Sequence, residues 1–305
     1  MIRQDAFAGA GRLLKGALHC HTTRSDGRGA PDEVIRLHKA NGYDFLAITD
    51  HNLYNYQNFS KETDITILPG MERDVRLSDK GVHCFHIVCI GPERDAGNGY
   101  AQDQRFEGGT LVKDALEFQR VLDDIHAHGN LTIYCHPEWS HTPACEFERL
   151  AGNFAMEIYN SDCAMQNDMD TNAACWDDLL AAGQRIFGVA TDDGHAMDVH
   201  CNAWVLVRAE NTIAGILNAL RRGAFYASCG PEIHDFYVQD GIAVLECSPC
   251  VSAGFRAAYM PTRLTRSAAG DVTVARMKIL PHTGYVRGVV KDAMGRRAWT
   301  NPIFF

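Results

Sequence analysis

"ALHCHTTRSDG" (residues 17–27) places two histidines two apart, His19 and His21, and an aspartate, Asp26, five residues further on. The apolar lead-in from Leu13 to Leu18 reads as a strand that runs into this cluster. By themselves two histidines on one strand face can serve packing alone. Their weight depends on what the other strand ends carry.

Up to about residue 230, short apolar strands alternate with amphipathic helices. A helix is expected from Pro31 to Asn41, with proline at its start and Gly42 as its stop. Strands are expected over 43–50, 65–70, 83–91, 131–137, 155–160, 185–193 and 224–228, and helices over 113–128, 172–183 and 211–222. This alternation fits a mostly parallel sheet or an α/β barrel. The polar residues choose between them. His19/His21, Asp50/His51, Glu72, His136 and Asp192/Asp193/His195 all fall at or just past the C-terminal end of an expected strand, where barrel active sites assemble. The expected fold is therefore α/β and barrel-like over residues 1–230. After Gly230-Pro231 the pattern changes to short strands with Gly- and Asp-containing turns and no helix, which predicts a small all-β appendage over 231–305.

The 305 residues are 46% hydrophobic and 22% charged, enough for a sizeable core. Net charge is −9 and no basic run exceeds Arg221-Arg222 or Arg296-Arg297, which argues against a broad nucleic-acid surface. The N-terminus shows no signal-peptide pattern, and no apolar run reaches the ~20 residues of a membrane helix. Eleven scattered cysteines, several inside apolar strands, fit reduced, packed thiols and a cytoplasmic location. The single CxxC, Cys247 to Cys250, lacks the second pair of a structural zinc site and reads as packing or a turn.

Each polar motif has a plain reading: "TDH" (49–51) as a turn, Glu72 as a helix-start carboxylate, "CHP" (135–137) as a strand end, "TDDGH" (191–195) as an Asx-rich turn. Five successive strand ends with His, Asp or Glu are hard to justify for packing, because buried unpaired charge is costly. Imidazole with carboxylate suits zinc, manganese or iron(II), and carboxylates can bridge neighbouring ions.

In this order, HxH…SDG (19–27), "TDHN" (49–52), "GME" (70–72), His86, His136 and Asp193/His195 resemble the PHP (polymerase and histidinol phosphatase-like) family of metal-dependent phosphoesterases, over roughly residues 13 to 200. The resemblance implies a distorted (β/α)7 TIM-like barrel with two or three divalent ions (Mn, Zn or Fe) at its C-terminal mouth. One ion would take His19, His21, Glu72 and the aspartate of the last motif. A second would share Glu72 and add His86 and His136, and a third would take Asp26, His51 and His195. Asp193 is preferred to Asp192 because it gives the D-x-H spacing. His86 is preferred to His83 because "HIVCIG" matches the family's histidine and apolar run, and the two alternate faces of one strand. "MEIYN", "RRGAFYASCGPEI" and "GRRAWTNPIFF" resemble the CehA/McbA-type branch, which includes carbaryl hydrolases acting on a carbamate ester.

The expected chemistry is attack on phosphorus by a metal-bridged hydroxide, with no covalent intermediate and with Glu72, Asp193 and His195 as the residues nearest the reaction. The substrate would be a small phosphomonoester or phosphodiester, a nucleotide among the candidates. A carboxyl or carbamate ester is the alternative, and a non-catalytic metal-binding protein the third reading. Arg24 and Arg73, each beside an expected ligand, are candidates to clamp a phosphate. Glu157 and Asn160 end a strand and are candidates to line the site. His126 and His128 close a helix, and His38, mid-helix, is expected at the surface.

Overall fold

The strand Arg12–Ala17, which delivers His19 and His21, lies inside a mixed sheet rather than a parallel one. A computed structural model of the chain describes residues 3–7, 9, 11–77, 83–95, 98–170, 172–258 and 264–305. Arg12–Ala17 pairs in parallel with Phe45–Ala47, which pairs in parallel with Thr66–Leu68. On its other edge it pairs antiparallel with Trp204–Ala209. That sheet continues antiparallel through Phe225–Ser228, Arg297–Thr300, Tyr285–Lys291 and Ser252–Ala257. The last strands of the chain thus extend the sheet that carries the HxH motif.

A second sheet orders Phe187–Thr191, Ala155–Asn160, Leu131–Tyr134, His83–Ile90, Gly70–Leu77 and Thr110–Val112. The first three are parallel, whereas His83–Ile90 runs antiparallel to both its neighbours. This corrects the expectation of a mostly parallel arrangement. Only a few residues join Leu77 to His83, and a parallel crossover needs about a dozen or more. The strand Trp204–Ala209, whose burial alternates strictly, was not among the expected strands, nor was the short helix Ser161–Asn167.

The expected closed barrel is not formed: the ladders end at two seams. Single parallel bridges stand there, Cys20 with Gly194 and His51 with Glu72. Beside these bridges Asn52 and Asp193 have φ of 53° and 52°, a left-handed backbone that interrupts an extended strand. No helix of the described residues is long and apolar enough to cross a membrane.

The C-terminal strands bury their own core. Ile233–Gln239 and Ile242–Cys250 form a hairpin whose tip, Asp240-Gly241, has φ of 53° and 74°, the doubly left-handed turn that Asp-Gly favours. Phe236, Leu245, Phe255, Val286 and Val290 are buried together, each side chain worth about 1.5–3 kcal/mol. Cys247 and Cys250 sit in this core with sulfurs 3.7 Å apart, as packed thiols. A further link joins these strands to the α/β part: Asp177 of the helix Asn172–Ala181 accepts from Arg287 Nε (2.8 Å) and Nη2 (2.6 Å), and the guanidinium lies over Trp176.

His38 is fully buried, not exposed as expected. It stands one helical turn after Val34 on the buried face of Pro31–Ala40, donates Nδ1–H to the Val34 carbonyl (2.8 Å), and meets Tyr43 and His200 edge-on. Burial lowers its pKa to about 4 and that of His200 to about 3.

Two outcomes follow. Asp177→Asn leaves the buried Arg287 guanidinium short of its counter-charge and should lower stability by about 2–3 kcal/mol in urea titrations. An unchanged midpoint would mean that the pair does not hold the C-terminal strands. For His38, the folded chain keeps the ring neutral while the unfolded chain protonates it near pH 6.5. Its contribution is therefore complete above pH 6.5 and is lost as pH falls toward 4, by up to about 1.4 kcal/mol per pH unit. The stability difference between wild type and His38→Gln should shrink over that window; a pH-independent difference would contradict it.

Candidate metal centre

The HxH strand end is shaped by a buried carboxylate. Asp50 accepts from Thr22 N (2.8 Å), Thr22 Oγ1 (2.7 Å) and Ser25 Oγ (2.7 Å), which folds residues 20–26 into a tight loop. Gly27 closes it: a Cβ there would lie 2.5 Å from the His21 carbonyl carbon. His19 and His21 consequently point the same way. Their Nε2 atoms are 3.1 Å apart, and each lies 3.1 Å from Asp193 Oδ1 and 3.2–3.4 Å from Glu72 Oε2.

All four groups are buried and face one point. His19 Nδ1 is 2.6 Å from Glu157 Oε1 and donates to it, which leaves the Nε2 lone pair directed at the other three. Both oxygens of Glu72 and Oδ1 of Asp193 are buried without a hydrogen-bond partner. Lone pairs gathered this closely are satisfied by a cation, and two imidazoles with two carboxylates are a donor set for a divalent transition metal.

Glu72 extends the cluster in two further directions. Its Oε1 lies 3.0 Å from His86 Nδ1 and 3.6 Å from His136 Nε2. Its Oε2 lies 3.0 Å from His51 Nδ1, and His51, His21 and His195 surround Asp26 at 3.4–3.6 Å. The structure therefore brings together His19, His21, Asp26, His51, Glu72, His86, His136, Asp193 and His195. The side chain of His83 lies outside the described residues.

Electrostatics follow the same geometry. Burial would push the Glu72 carboxyl up, but His86 and His19 hold it well below the usual range. Burial opposes protonation of His51 and His195, yet Asp26 with Glu72 raises the first to about 10, and Asp26 with Asp193 raises the second to about 9. Protons and a metal thus compete for the same nitrogens. Left-handed φ at His136 and Asp193 costs about 1–3 kcal/mol each and re-aims both side chains inward.

Asp192, the alternative to Asp193, has a separate task. It is fully buried and accepts from Cys201 N, Asn202 N, Ala203 N and Ser161 Oγ at 2.6–2.9 Å, fastening the 194–203 loop. Glu157 and Asn160, candidates to line the site, are fully buried behind it. Glu157 accepts from His19, His136 N, Thr191 Oγ1 and Asn160 Nδ2, and Asn160 also donates to Asp193 Oδ2. Arg24 and Arg73 do not reach the cluster either. Arg24 donates to Asn55 and Asp103, while Arg73 donates to Thr110 and lies over Phe106. Arg73 follows Glu72 on a strand and so faces the other way.

The same alternation reveals what the sequence reading missed. Asp74 and Arg76 share the face of Glu72 on Gly70–Leu77; Asp74 lies 3.4 Å from His86 Nε2 and pairs with Arg76. Once 70–77 is read as a strand, period two finds both. Asp162 and Trp139 carried no such signal. All four line a cavity of about 760 Å³ over the cluster, with Asp26, His51, Glu72, His86, His136, Asp193 and His195 in its wall.

The PHP domain family matches residues 17–200. A 5'-3' exoribonuclease from Haemophilus influenzae is 33% identical over 70 residues, which span 22% of this chain and 26% of that protein; the match thus covers about a quarter of the curated relative. Among solved structures, an amidohydrolase from Chromobacterium violaceum, with bound sulfate and no metal, aligns with 60% of this chain and 88% of its own at 17% identity and a TM-score of 0.43. A two-domain protein from Bacteroides vulgatus, described as containing a predicted PHP-like metal-dependent phosphoesterase, aligns with all of this chain and 91% of its own at 14% identity and a TM-score of 0.46.

Glu157→Gln tests the backing of His19. Loss of the carboxylate that fixes the Nδ1–H tautomer should weaken manganese binding about 10–100-fold by calorimetry, with the circular dichroism spectrum unchanged. Wild-type affinity would show that Glu157 does not set the donor state of His19.

Proposed function

Because the chain belongs to the PHP family, we propose that it is a metal-dependent hydrolase that cleaves a phosphoester of a small molecule. The observation that carries this reading is Glu72: a buried carboxylate with no hydrogen bond to either oxygen, ringed by imidazole nitrogens on the floor of a cavity large enough for a small organic substrate. In this reading His19, His21, Glu72 and Asp193 hold one ion, Glu72 with His86 and His136 a second, and Asp26, His51 and His195 a third. Such ions supply Lewis acidity toward an ester and lower the pKa of a water.

The chain's own groups do the rest. Glu157 keeps the proton on His19 Nδ1, so Nε2 stays a donor to metal. Asp74 turns His86 by its Nε2, leaving Nδ1 toward Glu72. Asp26, whose side chain is half exposed, forms the open edge of the cluster, where a leaving group departs beside His195. No separate base is required of the protein.

The CehA/McbA-type resemblance supports the second reading, a carboxyl or carbamate ester at the same site. One experiment separates the two: nitrophenol release from matched phosphomonoester, phosphodiester and carboxyl ester substrates after manganese reconstitution, with and without chelator. Chelator-sensitive release from a phosphate ester is expected, and Glu72→Gln should reduce it by at least about a hundredfold with the fold intact. Release from the carboxyl ester alone would select the second reading, and wild-type turnover by Glu72→Gln would remove the bridging role.

A further inference from the structure

Trp139 stands out among the exposed apolar side chains. Leu111, Leu116, Met165, Leu280, Met294 and Phe305 are more exposed, but none lines the cavity over the cluster; Trp139, 42% exposed, is in its wall. Trp176 and Trp299, by contrast, are buried. The backbone segment that carries the indole is well anchored. Ser140 N bonds to the His136 carbonyl (3.0 Å) and Thr142 N to that of Pro137 (2.9 Å). Glu138 N bonds to Asn172 Oδ1 (2.9 Å), and Thr142 Oγ1 to the Cys84 carbonyl (3.2 Å). One edge of the indole packs on the cluster, 4.9 Å from the His136 ring at 76° and 6.0 Å from His86.

A partly uncovered indole beside a polar cluster, on an anchored segment, leaves apolar surface in water that a flat ring would cover. The cavity exceeds what a bare phosphate or acetate needs. Arg76, the only arginine or lysine among the described lining residues, is paired with Asp74.

We propose that Trp139 seats a planar aromatic or heteroaromatic ring of the substrate, so that the ester cleaved here carries such a ring next to the reacting group. This deepens the hydrolase reading and rests on it for the word substrate, but the ring site can be tested by binding alone. The probes are phenylphosphonate and cyclohexylphosphonate, which have the same charge and similar size and are not hydrolysed. They are titrated calorimetrically into the manganese-loaded full chain, with tryptophan fluorescence followed in parallel.

Phenylphosphonate should bind several-fold more tightly than cyclohexylphosphonate and quench the emission. Trp139→Ala should abolish the preference with a loss of about tenfold for the phenyl probe, and Trp139→Phe should keep most of it. Equal binding of the two probes, a preference that survives Trp139→Ala, or no binding of phenylphosphonate would overturn the proposal. Chelator-sensitive hydrolysis is scored separately. Trp139-dependent ring binding without hydrolysis of any ester would sink the enzymatic reading and leave the ring site standing. Chelator-sensitive hydrolysis together with equal binding of the two probes would do the reverse.

Discussion

The structure is organised around one buried carboxylate that imidazoles surround without a formed hydrogen bond. Glu72 is 1% exposed, and neither oxygen has a hydrogen-bond partner. An ionised carboxylate left so in a low-dielectric interior is among the costliest arrangements a fold can hold. Imidazoles from four separate segments approach it: His19 and His21, His51, His86 and His136. Such convergence is tolerable only if positive charge is shared among them, as protons on the rings or as metal. The sheets, seams and buried anchors all serve to hold these segments against their mutual repulsion.

Two kinds of support do this. The first is a ring of buried acidic side chains that touch no solvent: Asp50 fastens the HxH loop, Asp192 the 194–203 loop, and Glu157 ties His19 to the His136 backbone. Each accepts several hydrogen bonds, so its charge is spread over backbone and hydroxyl donors. The second is backbone strain at His136 and Asp193, which breaks the strands where their side chains must turn inward. His136 turns inward after an interior strand of the second sheet, and Asp193 does so beside the seam where Cys20 bridges Gly194.

Much of this was legible in the sequence because strand ends declare themselves. Apolar runs stopped by His, Asp or Glu pointed to His19, His21, His51, Glu72, His136 and His195, whereas Asp26, His86 and the choice of Asp193 over Asp192 rested on the resemblance to the PHP family. What stayed hidden depended on direction rather than position. Glu72 reads as the end of "ITILPGME", so the strand beginning at Gly70 was not foreseen, and with it the faces of Arg73, Asp74 and Arg76 were lost. Glu157 and Asn160 sit at a strand end, but nothing in their spacing says that they look at the back of the histidines. His38 looked like a surface residue because a polar residue within a helix usually is one; only the neighbouring Tyr43 and His200 show its side to be the inner one.

The charge of the cavity wall links the number of ions to the kind of ester. Asp26, Glu72, Asp162 and Asp193 face the cavity, while Asp74 and Arg76 offset one another. With the histidines neutral, two divalent ions just balance the four remaining carboxylates, and a third makes the wall positive. A phosphate ester arrives with negative charge and is drawn in only by a positive wall; a carbamate has none and is indifferent to it. The chain's net charge of −9 works against an anion at long range, so attraction must be generated locally. In the proposed hydrolase reading, an ion in the Asp26–His51–His195 corner would favour the phosphate ester over the carbamate. That corner is also the most exposed part of the cluster, with the Asp26 side chain half exposed and those of His51 and His195 partly so.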